Sequence, residues 1–416
     1  MIKAVRGTKD ILPNEILEWI FLEGKARELF GFFGYQEIRT PLFEQTDLFI
    51  KSIGDETDIV EKEMYTFLDQ GKRSLTLRPE ATAPVLRAVL EHHLVQVGTV
   101  NKLFYSGQMF RQERPQSGRL RQFNQIGIEY IGSVHPSADA ETIMVLYTYL
   151  KEVGLEDVTI LINSVGCTDC KKNHSVFLRD FFEQKITSFC ETCQRRFSRN
   201  VFRLLDCKQK ECHQLVEEAP ALVDRLCKDC SEDFTLVQSL LTKAEIPFTL
   251  QPRLVRGLDY YTKTVFEVTH HNLGAKDALA AGGRYDGLIS SMGGPEMGAV
   301  GFGIGVERLL LARKQKTPIT YSPPDVFLIS LGEKAYNENF LLSYTLQKNG
   351  ISTEIDLPGK SIKAQLRKAN KGNASYCIIR GDEELQKKRV ILKDMKTGTE
   401  ESIATTTVIE QLKKRL

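Results

Sequence analysis

Five short stretches of the chain concentrate side chains that bind charge or hold protons. Phe110-Arg111-Gln112-Glu113 leads into Arg114-Pro115-Gln116-Ser117-Gly118-Arg119, with Arg121 just beyond. A guanidinium at a strand end beside a basic loop suits a phosphate-bearing ligand, because its N–H groups form a fork that matches phosphate oxygens. An ion pair between Arg111 and Glu113 is the simpler alternative. Gly301, Gly303 and Gly305 recur at alternate positions before Arg308. Glycines so spaced leave one strand face bare, and a flat ligand then lies directly on backbone. Arg308, at the mouth of the next helix, is placed to stack on a base. The alternative is a tight strand-to-helix junction, and the spacing is not that of a dinucleotide-binding turn.

The third stretch puts Arg256, Asp259, Tyr260 and Tyr261 within six positions. Strand alternation predicts Asp259 and Tyr261 on one face, with Leu258 and Tyr260 on the other. A tyrosine pair packed over a salt bridge would look the same. In the fourth, Gly282-Gly283-Arg284-Tyr285-Asp286 reads as a turn, with or without a partner held close to its backbone. In the fifth, Glu80 precedes a helix whose first turn carries Thr82. A carboxylate there either holds an amine or caps the helix.

These stretches need elements to position them. Residues 14–33 have helical spacing, with Asn14 as cap and Ile16, Ile20, Leu29 and Phe33 on the apolar face. Gly34 ends that helix, and a strand over 35–40 runs into Pro41. Residues 103–113 and 123–131 read as two strands around the basic loop. The second puts Ile126, Ile128 and Tyr130 on one face and Gln125, Gly127 and Glu129 on the other. Strands resume near Leu254 and continue over 265–268. A Gly-rich strand over 298–305 feeds a helix over 306–313. Residues 316–324 have linker composition. Beyond them the pattern restarts as strand 326–330, helix 334–348, strand 352–356, helix 360–371 and strand 376–380, a small α/β domain.

Composition sets outer bounds. The chain has 416 residues, 42% of them apolar and 26% charged, which excludes a disordered polymer. No apolar run approaches the roughly 20 residues of a membrane span. The N-terminus lacks the apolar core of a secretory signal, so the expected compartment is the cytoplasm. Net charge is +2, so any nucleic-acid role must rest on local patches. One such patch is Lys360, Lys363, Arg367 and Lys371, at i, i+3, i+7 and i+11 along a helix. After Pro324 there are 16 Lys and Arg against 12 Asp and Glu, a local excess of +4. A solvated helix face is the alternative.

The nine cysteines are an odd number, as expected of reduced thiols. Eight form pairs, Cys167/Cys170, Cys190/Cys193, Cys207/Cys212 and Cys227/Cys230, inside a helical stretch that reads as an insertion. The spacing is that of a zinc ribbon, and buried reduced thiols are the competing reading. No metal is assigned to the chemistry.

Together the stretches resemble a known family. Phe110 to Glu113 with the following strand resembles motif 2 of the class II aminoacyl-tRNA synthetases, and 301–308 resembles motif 3. The first helix, strand and Pro41 resemble motif 1, which forms the dimer interface in that class. Residues 254–262 and 281–288 resemble the two histidine-specific motifs of histidyl-tRNA synthetases. The resemblance covers nearly the whole chain. It implies an α+β fold: a class II catalytic core over 1–320, an antiparallel sheet with flanking helices and a helical insertion at about 167–240. An α/β anticodon-binding domain over 325–416 follows.

The activity implied is histidine–tRNA ligation through histidyl-adenylate, with ATP and Mg²⁺, L-histidine and tRNA(His) as ligands, in a homodimer. The resemblance implies catalytic roles for Arg256 and Arg111, and ATP binding by Arg111, Glu113 and Arg308. It implies that Glu80, Thr82 and Gln125 hold the amino group of histidine and that Glu129 and Tyr261 read its ring. Tyr260 and Tyr285 line that pocket. Arg119, Arg121, Lys360, Lys363 and Arg367 become candidates for tRNA. The alternative is a non-catalytic synthetase-like regulatory subunit of ATP phosphoribosyltransferase, a type that lacks the tRNA-binding domain and parts of the motifs.

Overall fold

A computed structural model describes residues 2–54, 57–205, 207, 209–255, 258–274, 278–313 and 319–416. The chain divides into two units, Met1–Pro318 and Ile319–Leu416.

The first unit is built on a sheet of eight described strands. Their order is Gln36–Glu37, Asn101–Phe110, Gln122–Ile131, Ala299–Gly305, Ala278–Arg284, Thr262–Thr269, Thr159–Ser164 and Thr249–Leu250. The six central strands pair antiparallel, and only the two short edge strands run parallel to their neighbours. Alternation sorts the side chains between two cores. Phe104, Ile126, Ile128 and Phe302 enter one, under the helices Ile16–Phe32 and Ser137–Glu152. Leu103, Tyr105 and Met109 enter the other. The expected division of 125–130 therefore holds, with Ile126 and Ile128 buried opposite Glu129.

The first helix starts later than its spacing suggests. Glu15 occupies the cap position without a side-chain bond, so Asn14 does not cap it. The buried face is Trp19, Leu22, Ala26 and Phe30, whereas Ile20 is 56% exposed. Ile20 lies about 100° round the helix from Trp19, which takes it off the stripe. Gly34, at φ +80°, ends the helix, and Tyr35 N–H closes back on Phe30 O at 2.9 Å. The expected strand over 35–40 shrinks to Gln36–Glu37.

Other boundaries also shift. The strand expected over 103–113 ends at Phe110, leaving Arg111 to Glu113 in the loop. The region near Leu254 is not strand. Residues 281–284 are strand rather than turn, paired antiparallel on both sides, and glycine fits there because a Cβ on Gly282 would meet Gly301 O at 2.3 Å. Between Thr159–Ser164 and Thr249–Leu250 the described residues make four α-helices, from Thr168–Glu183 to Lys228–Lys243. A small second sheet pairs Phe43–Gln45, Ser74–Leu77 and Tyr65–Leu68.

In the second unit, Thr353–Ile355, Val326–Ser330 and Tyr376–Arg380 pair in parallel. The sheet continues antiparallel through Arg389–Asp394 and Glu400–Ala404, two strands absent from the sequence reading. Every residue of Val326–Ser330 is buried. The helix Ile362–Lys371 is capped by Ser361, whose hydroxyl accepts from Ala364 N–H at 3.3 Å. It buries Gln365 and Ala369 and exposes Lys363, Arg367 and Lys371. Lys360 precedes the cap, so it is not on the helix. No described helix of the chain is long and apolar enough to cross a membrane.

Candidate active site

The site forms where three central strands leave their inner face bare. Gly127 sits opposite Tyr105 on one side and Gly303 on the other; Glu129 sits opposite Gly301. A Cβ on Gly301 would lie 2.1 Å from Glu129 Oε2, and one on Gly127 would lie 2.3 Å from the Tyr105 hydroxyl. These glycines make room for two polar side chains to lie flat in the sheet's inner face. A Cβ on Gly303 would meet the Tyr105 hydroxyl at 3.4 Å and the Gln125 amide at 3.7 Å, so the half-buried Gln125 borders the same bare strip.

Glu129 is 1% exposed and its two oxygens are both engaged. Thr82 Oγ1 donates to Oε1 at 2.8 Å, and the Tyr285 hydroxyl donates to Oε2. Burial pushes the Glu129 carboxyl up to about 8; the Tyr285 and Thr82 bonds pull it down, and the charge of Glu80 adds to the rise. Glu80 is buried too. Its carboxylate accepts from Thr82 N–H at 2.7 Å and Ala83 N–H at 2.9 Å, which caps the helix Thr82–Glu91. The cap geometry is therefore real, and it also fixes where the carboxylate points. Burial raises the Glu80 carboxyl, while those two N–H groups oppose the rise.

Tyr260 and Tyr261 do not take opposite faces. Residues 258–260 turn rather than extend, and the two rings lie 4.7 Å apart, with Tyr260 also 5.6 Å from Tyr285. Alternation fails because it presumes a strand. Tyr105 and Tyr285 are buried and Tyr260 is half-buried, and the loss of water drives all three hydroxyls far above the usual range, so they stay protonated donors. The enclosure thus offers two carboxyls and several hydroxyls to a small ligand with an amine and a hydrogen-bonding ring.

Arg111 lies beside this enclosure. Its Nε donates to Pro79 O at 2.9 Å, its guanidinium stacks 5.4 Å from the Phe123 ring, and its charge acts on Glu80. It does not pair with Glu113. That carboxylate pairs with Arg119 at 3.0 Å, because the loop 114–119 folds back on itself through Gln116 and Arg119. Arg121 donates to the Glu113 and Arg6 carbonyls. Arg308 lies in the first turn of the helix Val306–Arg313, and a Cβ on Gly118 would meet its Cγ at 3.3 Å. The loop tip therefore rests on the Arg308 stem. Glu307 accepts from Asn124 N–H at 2.9 Å, tying that helix to the motif 2 strand.

Arg256 lies outside the described residues. Several neighbours were not picked out by sequence. Tyr105 is on the Arg111 face by simple alternation, a signal that was available. Asp259 pairs with Arg203 at 2.7 Å, and Lys171 donates to the Tyr261 carbonyl, both from the helical insertion. Arg284 is fully buried and bound to Asp139 at 2.7 Å and Asp286 at 2.9 Å. No local pattern announces the partners far away in sequence, such as Asp139 for Arg284 and Arg203 for Asp259.

The comparisons with known proteins agree with the geometry. A family model described as histidyl-tRNA synthetase matches residues 7–309, and one described as an anticodon binding domain matches 325–415. The histidine–tRNA ligase of Syntrophotalea carbinolica is 46% identical, over 97% of this chain and 96% of its own. That of Halothermothrix orenii is 46% identical over 99% of each. The crystal structure of apo histidyl-tRNA synthetase from S. aureus superposes with a TM-score of 0.83 at 36% identity, covering 99% of this chain and 100% of that one.

Proposed function

The chain belongs to the histidyl-tRNA synthetase family, and from that membership we propose how its residues share the work of a histidine–tRNA ligase. The reaction joins L-histidine to ATP, giving histidyl-adenylate and pyrophosphate. The histidyl group then passes to the 3′ end of tRNA(His). The observation that carries the assignment is the buried Thr82–Glu129–Tyr285 network beneath the glycine strip, with Arg111 at its edge.

Glu129 takes the N–H of one imidazole nitrogen, and the Tyr261 hydroxyl meets the other in either tautomer. Glu80, Thr82 and Gln125 hold the α-amino group. Tyr260 and Tyr285 wall the ring and keep water out. A buried site built to bond a ring rejects analogues lacking those groups by roughly 10⁴–10⁵. Arg111 holds the histidine carboxylate against the α-phosphate, and Arg256 stabilises the charge that develops there as the carboxylate attacks. Glu113 and Arg308 hold the adenine end of ATP. Mg²⁺ would neutralise phosphate charge, mostly through oxygens of ATP itself; Glu63, whose carboxyl is raised by burial with Arg111 beside it, is an oxygen donor of the type it takes.

Lys363 and Arg367 offer an exposed basic face for RNA phosphates, with Lys360 just before it. Arg119 and Arg121 stand in the loop that would meet the acceptor end. Exposed Leu42, Phe43, Phe67 and Leu68 gather on and beside the small sheet, which supports a homodimer through the motif 1 side. The cytoplasm is the compartment proposed. The regulatory-subunit alternative is disfavoured by the presence of Arg111, Glu113, Arg256 and Arg308 and of the match over 325–415.

The test is ATP–pyrophosphate exchange with each of the twenty amino acids, for the wild type and Arg256→Ala. Exchange with histidine alone, lost in the variant, is the expected result. Absence of exchange with every amino acid would overturn the ligase reading in favour of the regulatory one.

A further inference from the structure

Eight of the nine cysteines converge on two points. The Sγ atoms of Cys167, Cys170, Cys227 and Cys230 all lie within 4.8 Å of one another, and so do those of Cys190, Cys193, Cys207 and Cys212. The four sequence pairs therefore combine two by two, the outer pairs together and the inner pairs together. We propose that each cluster is a structural tetrathiolate site for one Zn²⁺.

The spacing suits that ion. Zinc–sulfur bonds of about 2.3 Å in a tetrahedron set sulfurs about 3.8 Å apart. Cys167 and Cys170 are separated by 3.6 Å, and Cys190 and Cys207 by 3.9 Å. A disulfide needs about 2.05 Å, and all nine cysteines are free.

The backbone is arranged for thiolates. Cys167, Cys190 and Cys227 each cap a helix, and Cys170, Cys193 and Cys230 are the third residues of those helices. Cys212 holds the same third position in Lys210–Glu217. Each cluster thus gathers two helix N-termini, whose positive ends and free N–H groups favour anionic sulfur. Hydrogen bonds cross between the halves of each cluster. Cys227 N–H donates to Cys170 Sγ at 3.2 Å, and Cys190 N–H donates to Cys212 Sγ at 3.2 Å.

Plain burial of thiols does not account for this. Cys227 is exposed and Cys167, Cys190 and Cys207 are only half-buried. Cys377 shows the ordinary case: buried in the other unit, with its thiol 3.3 Å from Met395 Sδ. An all-sulfur, four-donor set selects a soft ion, and four protein ligands leave no open position for chemistry.

The insertion has a reason to need such staples. Its own core is small, built around Leu178, Phe182, Phe189, Val201 and Leu204. The first cluster stands at its root. Gly166, at φ +63°, lies where a Cβ would be 2.4 Å from Cys170 Cβ, and its carbonyl accepts from Lys263 N–H at 2.8 Å. Lys171, next to Cys170, reaches the Tyr261 carbonyl. The second cluster holds the segment whose Arg203 pairs with Asp259 and whose Arg196 pairs with Asp58. The two ions would fix the insertion against the tyrosine-bearing stretch.

Metal content of the full chain tests this, purified reduced and without chelator. Mass spectrometry should count two zinc ions per chain, one in Cys170→Ser, one in Cys193→Ser and two in Cys377→Ser. If the variants do not fold, wild type carries the test alone. Exchange into Co²⁺ should give thiolate charge-transfer bands titrating to two equivalents, and mercurial modification of the thiols should release two zinc ions. Less than one zinc per chain together with no thiolate–Co²⁺ bands would overturn the proposal, as would iron with acid-labile sulfide in place of zinc. Neither readout depends on histidine activation.

Discussion

Thr82 Oγ1 donates a 2.8 Å hydrogen bond to Glu129 Oε1, joining residues 47 positions apart in sequence. The hydroxyl belongs to the first turn of a helix that Glu80 caps; the carboxylate lies on a central strand. One bond thus locks the group that would read the histidine ring to the element that would hold its amine.

Glu129→Gln keeps the shape but removes the carboxyl that would give up its proton and carry the charge once the histidine ring is bound. A hydrogen bond to a charged group contributes about 1.5–3 kcal/mol, which is roughly 10–150-fold in affinity. The expected outcome is a histidine KM raised by about that factor in pyrophosphate exchange, with the ATP KM nearly unchanged. Unchanged histidine KM would remove Glu129 from the ring-binding role.

The same residue should shape stability against pH. Its folded carboxyl sits at about 8, above the ordinary 4.5. The folded state therefore keeps a proton that the unfolded chain gives up between those values. Stability from this group is full below about 4.5 and is lost as pH rises through about 8. Thermal melts of wild type and Glu129→Gln across that range check the sign: the wild type should lose ground to the variant as pH rises.

Gly301→Ala would drive a methyl to 2.1 Å from Glu129 Oε2 and 2.4 Å from Ile128 O. The backbone oxygen cannot yield, so the strand must shift, at a cost of about 1–3 kcal/mol. Denaturant titration should show that loss, and histidine-dependent exchange should fall further than stability alone explains.

Arg284 and Asp139 are each 1% exposed in their side chains and 145 positions apart. The guanidinium also bonds Ser133 O at 2.8 Å and His135 O at 3.1 Å, so all its donors are used. Arg284→Ala strands a buried carboxylate and should cost about 3–5 kcal/mol. Chemical denaturation measures it; a loss under 1 kcal/mol would contradict the buried pair.

Residue types alone marked out the chemistry of this chain. The alternation of Ile126 and Ile128 against Gln125, Gly127 and Glu129 determined which strand face is polar, because a strand's side chains have a strict period of two. The helix over 306–313 and the strands over 326–330 and 376–380 were legible for the same local reason. Local rules went wrong where the local element was misjudged. Tyr260 and Tyr261 share the pocket because their segment turns, and Lys360 leaves the basic face because Ser361 starts the helix.

The tertiary structure decided the partnerships. Glu113 pairs with Arg119 rather than Arg111, Arg284 with Asp139, Arg203 with Asp259, and the outer cysteine pairs with each other across the whole insertion. Periodicity reports which way a side chain points, over a few residues. What it meets depends on strand register and on how a long excursion of chain returns to its root, and those are set by packing of the whole unit rather than by any neighbour in sequence.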